Sequence, residues 1–361
     1  MSYLRIYTHE ELKRKIKSGL IAPIYFIYGN EPYLINHYIN MIVDRAVTAL
    51  PEINIKSIDS DFDIDEIISN AYLVPMMSNY KCIILNDLNL SELSDSDMKK
   101  LIEMAKNPSD VSVVIFKFTS IEISFGKNYL AKKISKNYKK LAEATEEGEG
   151  IVSEVNHMTT GEIAKTLTSG ALKRGCTLDS ATARYMIEVC SDDLTTLLCE
   201  MEKLCSYLSS GTITKEHVDK ICTRSVNARI FDLSKMILTK NVKAAMKILN
   251  DLLYQKVKES DIVYEIAKNY IDIYRMSSSK RANVSMNEVS KYFEYGNRDF
   301  VLKTASSFAA QLSSNQLERS LSVLCETATM LMGTSRMKKS EILETLIIKL
   351  ILIATKEDAV C

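Results

Sequence analysis

The chain has no excess of either charge and no long apolar run. Lysine plus arginine and aspartate plus glutamate each total 46, so the formal net charge is zero. This balance predicts no strong attraction of the whole chain to nucleic acid or to an anionic membrane, and any such contact must be a local patch. The longest apolar run, Leu346–Ala354, contains Lys349 and is far too short to span a bilayer. A signal peptide is not expected, because the first residues become polar within a few positions.

The usual motifs for metal binding, nucleotide binding and catalysis are also missing. The eight cysteines show no C-x-x-C spacing, and no H-E-x-x-H sequence occurs. We therefore expect reduced thiols in a cytoplasmic protein, with no metal site and no cofactor. No G-K-[ST] sequence occurs either. The phosphate cradle of a P-loop nucleotidase is thus not predicted, and no residue is assigned a catalytic role.

A strand, a tight turn and a helix start follow one another near the N-terminus. Residues 24–28 are apolar, Gly29 begins the turn, and Pro32 suits a first helical turn because its missing N–H would be unpaired there anyway. Nucleotidases hold phosphate at such a junction. Here Glu31 places an anion where a phosphate would otherwise bind. We interpret Gly29, Asn30 and Glu31 as a degenerate nucleotide-site turn.

Strand and helix patterns alternate up to about residue 158. Apolar strands that alternate with helices indicate a parallel sheet covered on both faces. The acidic stretch Glu143–Gly150 reads as a solvated loop. The predicted strands are Ile24–Tyr28, Asn54–Ile58, Lys81–Leu85, Ser112–Phe118 and Ile151–Val155.

After about residue 159 the strand signal stops, and amphipathic helical patterns continue to residue 355. We predict an α/β domain over residues 1–158, a small helical domain over residues 159–222 and a larger helical domain over residues 223–361.

Four segments, in this order, resemble the delta subunit of bacterial DNA polymerase III. Together they extend over most of the chain. One departure is Met76-Met77, where family members often have Leu-Phe. The segments are Pro23–Ile35 (PIYFIYGNEPYLI), Pro75–Leu85 (PMMSNYKCIIL), Asp193–Leu204 (DLTTLLCEMEKL) and Ile230–Leu233 (IFDL), which is followed by Ala244, Ala245 and Leu249.

The resemblance implies an AAA+-like α/β domain that binds the sliding clamp without a P-loop, then a helical lid domain and an all-α collar domain for oligomerisation. Family members usually do not hydrolyse ATP; they bind the DNA sliding clamp and open its ring or hold it open. The implied subunit is non-catalytic by itself, within a DNA-directed DNA polymerase III holoenzyme that carries nucleotidyltransferase activity. Implied partners are the clamp, the motor ATPase and delta-prime-like subunits, and primed DNA through the complex, in the bacterial cytoplasm and without a membrane.

Met76 and Met77, preceded by Pro75, are the candidate clamp-binding residues. From the sequence alone the common fate of methionine, burial in the core, is favoured. Alignment with the hydrophobic pair that family members insert into the clamp favours a binding role instead. In that case both side chains should be partly exposed, at the end of a short helix beneath the strand Lys81–Leu85.

A small basic group, Arg336, Lys338 and Lys339, is a candidate for contact with DNA near the collar. A solvated helix face is the alternative interpretation.

Two other functions stay open. The chain could be a divergent AAA+ ATPase, in which Asp87 follows a strand where such enzymes carry a Mg²⁺-organising acid. Without a P-loop lysine we interpret Asp87 as a strand-end or turn residue. The second alternative is a helical adaptor unrelated to replication.

Overall fold

The computed structural model describes residues 4–59, 63–123, 125, 135–191, 193–293, 295, 299–333 and 337–355. The chain forms two compact units, Met1–Met158 and Thr159–Cys361. The division into three domains, at residues 158 and 222, stays a prediction.

A parallel six-stranded sheet is the centre of the first unit, with the strand order β1-β6-β2-β5-β4-β3. Strand β2 lies between β5 and β6 and is buried along its whole length, which explains its uninterrupted apolar sequence. The five predicted strands are confirmed, and the short edge strand β1 was missed. The strands are β1 Ile6–Thr8, β2 Ile24–Tyr28, β3 Ile55–Ile58, β4 Lys81–Asn86, β5 Ser112–Phe118 and β6 Ile151–Glu154.

Helices α4, α5 and α6 share one core with the sheet, in which Ile67, Leu101 and Leu141 pack with Phe26 and Phe116. The helices of this unit are α1 His9–Lys17, α2 Pro32–Ala46, α3 Pro51–Asn54, α4 Ile64–Ala71, α5 Asp95–Lys106 and α6 Ser135–Glu147.

The expected loop over Glu143–Gly150 was wrong, because α6 continues to Glu147. Ala144 and Thr145 in that stretch are buried. The acidic side chains are partly or fully exposed, and Glu147 forms an ion pair with Lys106 of α5 at 2.8 Å. The loop was predicted from the acidic residues alone. The same stretch also contains the apolar face of α6 that packs against α5.

The second unit begins with helices and a two-stranded parallel sheet, β7 and β8. The expectation that strands stop near residue 159 was therefore wrong. Each of these strands has only three residues, and their pairing joins segments that are far apart in the chain. No local sequence pattern therefore predicts them. The elements are α7 Thr160–Lys173, β7 Cys176–Leu178, α8 Ser180–Cys190, α9 Leu194–Leu208, β8 Gly211–Ile213 and α10 Lys215–Ile221.

Seven further helices share a single apolar core, to which Ile230, Leu249, Ile266, Leu324 and Leu346 contribute. The predicted fold class, an α/β part with a parallel sheet followed by helices, is confirmed. Within the described ranges, no helix is both long and apolar enough to cross a membrane. The helices are α11 Val226–Leu238, α12 Val242–Tyr254, α13 Glu259–Arg281, α14 Met286–Tyr292, α15 Asp299–Phe308, α16 Ser314–Met332 and α17 Lys339–Thr355.

Candidate functional site

An exposed apolar loop, residues 72–80, joins α4 to β4; we call it the methionine loop. Met76 is 54% exposed and Met77 is 81% exposed. The core interpretation of the two methionines was therefore wrong. The expected position at a helix end was also wrong, because α4 ends at Ala71 and the loop after it is not helical. Further exposed apolar side chains of the loop are Tyr72, Leu73 and Val74.

The backbone at Met76 is held by the side chain of Asn54, the last residue of α3. The amide Nδ2 of Asn54 donates to the carbonyl of Met76 at 2.8 Å, and its Oδ1 accepts from the Met76 N–H at 2.8 Å. Nδ2 also donates to the carbonyl of Ala49 at 2.8 Å. Asn54 is only 1% exposed, so these bonds form away from solvent. The exposed Met76 side chain thus projects from a backbone that is hydrogen-bonded to a buried amide.

Other bonds tie the two ends of the loop to neighbouring helices. Ser78 Oγ accepts from the N–H of Thr48, just after α2, at 2.9 Å, and the hydroxyl of Tyr72 donates to the carbonyl of Asn107, just after α5, at 3.0 Å. Met77 has a φ of 54°, in the left-handed region that non-glycine residues seldom adopt. Hydrogen bonds therefore anchor both ends of the loop, although its apolar side chains are exposed.

The turn at the carboxyl end of β2 is closed by residues of the same unit. Gly29 has a φ of 147°, and a Cβ there would lie 2.0 Å from the carbonyl oxygen of Val155. Glu31 is 5% exposed and accepts from Nδ1 of His157 at 2.8 Å. The Oδ1 of Asn30 accepts from the N–H of His157 at 2.9 Å. A buried carboxylate thus occupies the N-terminal end of α2, where nucleotidases hold phosphate.

Asp87, which follows β4, is engaged by its neighbours in the fold. Its carboxylate accepts four hydrogen bonds, from the backbone N–H and the hydroxyl of both Thr119 and Ser120. Burial opposes ionisation, but these hydrogen bonds outweigh it and lower the pKa of the Asp87 carboxyl. This geometry is that of a strand-end residue, as the sequence suggested.

The basic residues Lys338 and Lys339 are exposed at the start of α17. The N–H of Lys338 donates to the Glu341 carboxylate at 3.2 Å, which caps the helix. Arg336, the third member of the predicted basic group, lies outside the described residues. The DNA contact of this group stays a prediction.

Sequence reasoning did not identify Asn54 or His157. Asn54 was interpreted as the beginning of a strand, and its partner Met76 lies 22 residues further along the chain. His157 lies 126 residues from Glu31. No local pattern marks contacts of such separation.

Two family models match the chain. The model for DNA polymerase III, delta subunit, matches residues 25–144, and the model for the C-terminal domain of that subunit matches residues 227–350. The chain belongs to the DNA polymerase III delta subunit family. The methionine loop and the Gly29 turn lie within the first match, and Lys338 and Lys339 lie within the second.

Two proteins from Bacillus subtilis are similar to this chain. The DNA polymerase III subunit delta of strain 168 is 23% identical over 266 residues, which cover 71% of this chain and 73% of that protein. The solved structure of the Bacillus subtilis DNA clamp loader delta protein has a TM-score of 0.58 at 19% identity, covering 95% of this chain and 99% of the other. The structural match shows the same fold. The predicted family, the delta subunit of DNA polymerase III, is confirmed.

Proposed function

We propose that this delta subunit binds the DNA sliding clamp through its methionine loop and opens the clamp ring or holds it open. The observation that carries the proposal is the pair of exposed side chains, Met76 and Met77, on a backbone held by the buried Asn54. Unbranched thioethers adapt to irregular apolar pockets. A loop that is already ordered loses less conformational entropy when it binds.

Opening of the clamp would follow from differential binding. If the methionine loop fits a clamp with a strained or open interface better than a closed one, binding shifts the equilibrium toward the open ring. This mechanism needs no nucleotide in the delta subunit itself. ATP in the neighbouring motor subunits would control when the loop is accessible.

We also propose that the subunit is non-catalytic by itself and neither binds nor hydrolyses ATP. The carboxylate of Glu31 lies at the N-terminus of α2 and pairs with His157. A phosphate at this position would meet a negative charge instead of a lysine. Nucleotidyltransferase activity would belong to the polymerase holoenzyme.

The helical part, residues 223–361, is the proposed collar that binds the motor ATPase and delta-prime-like subunits. Its α17 carries two exposed apolar side chains one turn apart, Ile348 and Leu352. Primed DNA would be contacted through the complex, with Lys338 and Lys339 as candidate residues.

The test of clamp binding is a double variant, Met76→Ala with Met77→Ala, measured against the purified clamp. Truncation of central hydrophobic anchors costs about 2–4 kcal/mol, or about 30- to 1,000-fold in affinity. The melting temperature should be nearly unchanged, because both side chains are exposed. The matched control is Met332→Ala, an exposed methionine at the end of α16, which should bind the clamp like the wild type. Unchanged clamp affinity in the double variant would refute the proposal.

A further inference from the structure

Three potential metal ligands meet in the second unit, although they are far apart in the sequence. Cys190 is the last residue of α8, Glu200 lies in α9, and Cys222 follows α10 as its C-cap. The two Sγ atoms and a carboxylate oxygen of Glu200 all lie within 4.8 Å of one another. All three residues are buried. We expected no metal site because the cysteines show no metal-binding spacing along the sequence. Such spacing does not reveal a cluster that forms only in the folded chain.

The three ligand-bearing segments are held together by the surrounding backbone. The N–H of Ser225 donates to the carbonyl of Val189 at 3.0 Å, which joins the end of α8 to the segment after α10. The N–H of Thr223 donates to Oε2 of Glu200 at 3.1 Å. Metal-binding carboxylates are commonly oriented by such outer hydrogen bonds. The cluster is therefore built by the fold, since its side chains do not meet through one flexible loop.

The charge around the cluster suits anionic ligands. Lys203 Nζ lies 2.6 Å from Oε2 of Glu200. A thiol that coordinates a metal ion loses its proton when the ion binds.

We propose that Cys190, Glu200 and Cys222 bind one Zn²⁺ ion, with water as the fourth ligand. Two thiolates and one carboxylate suit zinc, whereas Ca²⁺ and Mg²⁺ prefer all-oxygen sites. Zn–S bonds of about 2.3 Å in a tetrahedral site put two sulfurs about 3.8 Å apart. Ligand atoms that already lie within 4.8 Å of one another reach this geometry by small side-chain rotations. Binding releases the thiol protons, and the ion then joins α8, α9 and the end of α10.

The direct test measures zinc in the full chain, purified with a reductant and without a chelator. We expect about one zinc per chain. The variants Cys190→Ser and Cys222→Ser should each lose the metal. The matched control is Cys199→Ser, an exposed cysteine of α9 that should keep it. A control variant that loses zinc together with the other two would refute the assignment of the ligands.

A second measurement needs no variant and so does not depend on how well the serine variants fold. Co²⁺ added to the metal-free wild-type chain should produce the thiolate-to-metal charge-transfer band and the intense visible absorption of a tetrahedral site. Added Zn²⁺ should then remove both and raise the melting temperature. Absence of the thiolate band would overturn the proposal. A Cys190–Cys222 disulfide that persists when the protein is kept with a reductant and zinc would also overturn it.

Discussion

A single buried amide, that of Asn54, holds the backbone of the loop that carries the exposed Met76 and Met77. It bonds both the N–H and the carbonyl of Met76, much as a neighbouring strand would. The two methionine side chains are exposed, whereas the Met76 backbone is hydrogen-bonded. Asn54 is therefore a positioning residue for the methionine loop.

We predict that Asn54→Ala weakens clamp binding although Asn54 itself is buried. The substitution leaves the N–H and carbonyl of Met76 without their partner, which costs about 1–3 kcal/mol of stability. The loop then samples more conformations, and we expect the clamp affinity to fall at least about tenfold. Surface plasmon resonance well below the melting temperature measures this. Asn70→Ala, at an amide that bonds only within α4, should leave the affinity unchanged.

Asp87 should contribute to the acid sensitivity of the first unit. Its folded-state pKa is lowered, so it contributes stability above the pKa of the unfolded state, and this is lost as the pH falls through the lower folded value. Urea unfolding at a series of pH values should show a shallower acid loss for Asp87→Asn than for the wild type. The neutral-pH stability of the variant should also be lower. Identical pH profiles would contradict this role.

At the scale of the element, helix α17 combines a buried face with an exposed apolar pair. Leu343, Leu346 and Leu350 pack into the core of the helical part, whereas Ile348 is 46% exposed and Leu352 is 53% exposed. A helix that is apolar on most of its surface needs cover on more than one side. We propose that partner subunits supply that cover.

We therefore predict that Ile348→Glu with Leu352→Glu prevents assembly with the motor and delta-prime-like subunits. Charges at an apolar interface must be desolvated without partners, which is strongly unfavourable. Size-exclusion chromatography of the mixed subunits measures assembly, and clamp binding by the isolated chain should persist. Leu172→Glu, at an exposed leucine of α7, should assemble normally. Assembly of the double variant at wild-type concentrations would show that this face is not an interface.

At the scale of the whole molecule, the intact chain should show no ATP affinity. Calorimetry with Mg²⁺ present should give no binding heat at ATP concentrations up to about 1 mM, which corresponds to a binding free energy weaker than about −4 kcal/mol. The physical reason is that the buried Glu31 carboxylate lies at the N-terminus of α2, where it would repel a phosphate. A motor ATPase subunit titrated in parallel is the positive control. Micromolar affinity in the delta chain would be inconsistent with the proposed role.

The sequence by itself determined the family and the central strands, and it contains no G-K-[ST] motif. These depend on short-range information. The apolar runs at residues 24–28 and 112–118 exceed what a half-exposed strand would carry, and Pro32 and Gly29 mark a helix start and a turn within a few residues. The G-K-[ST] motif is likewise local, so its absence can be read directly.

Only the tertiary structure decided the features that depend on distant partners. The three-residue strands β7 and β8 exist because they pair with each other, and α6 extends through an acidic stretch because its apolar face packs against α5. Neither the exposure of Met76 and Met77 nor the meeting of Cys190 with Cys222 has a local signal. In each case the deciding energy is a contact between segments that the folded chain brings together, and periodicity along the sequence carries no information about such contacts.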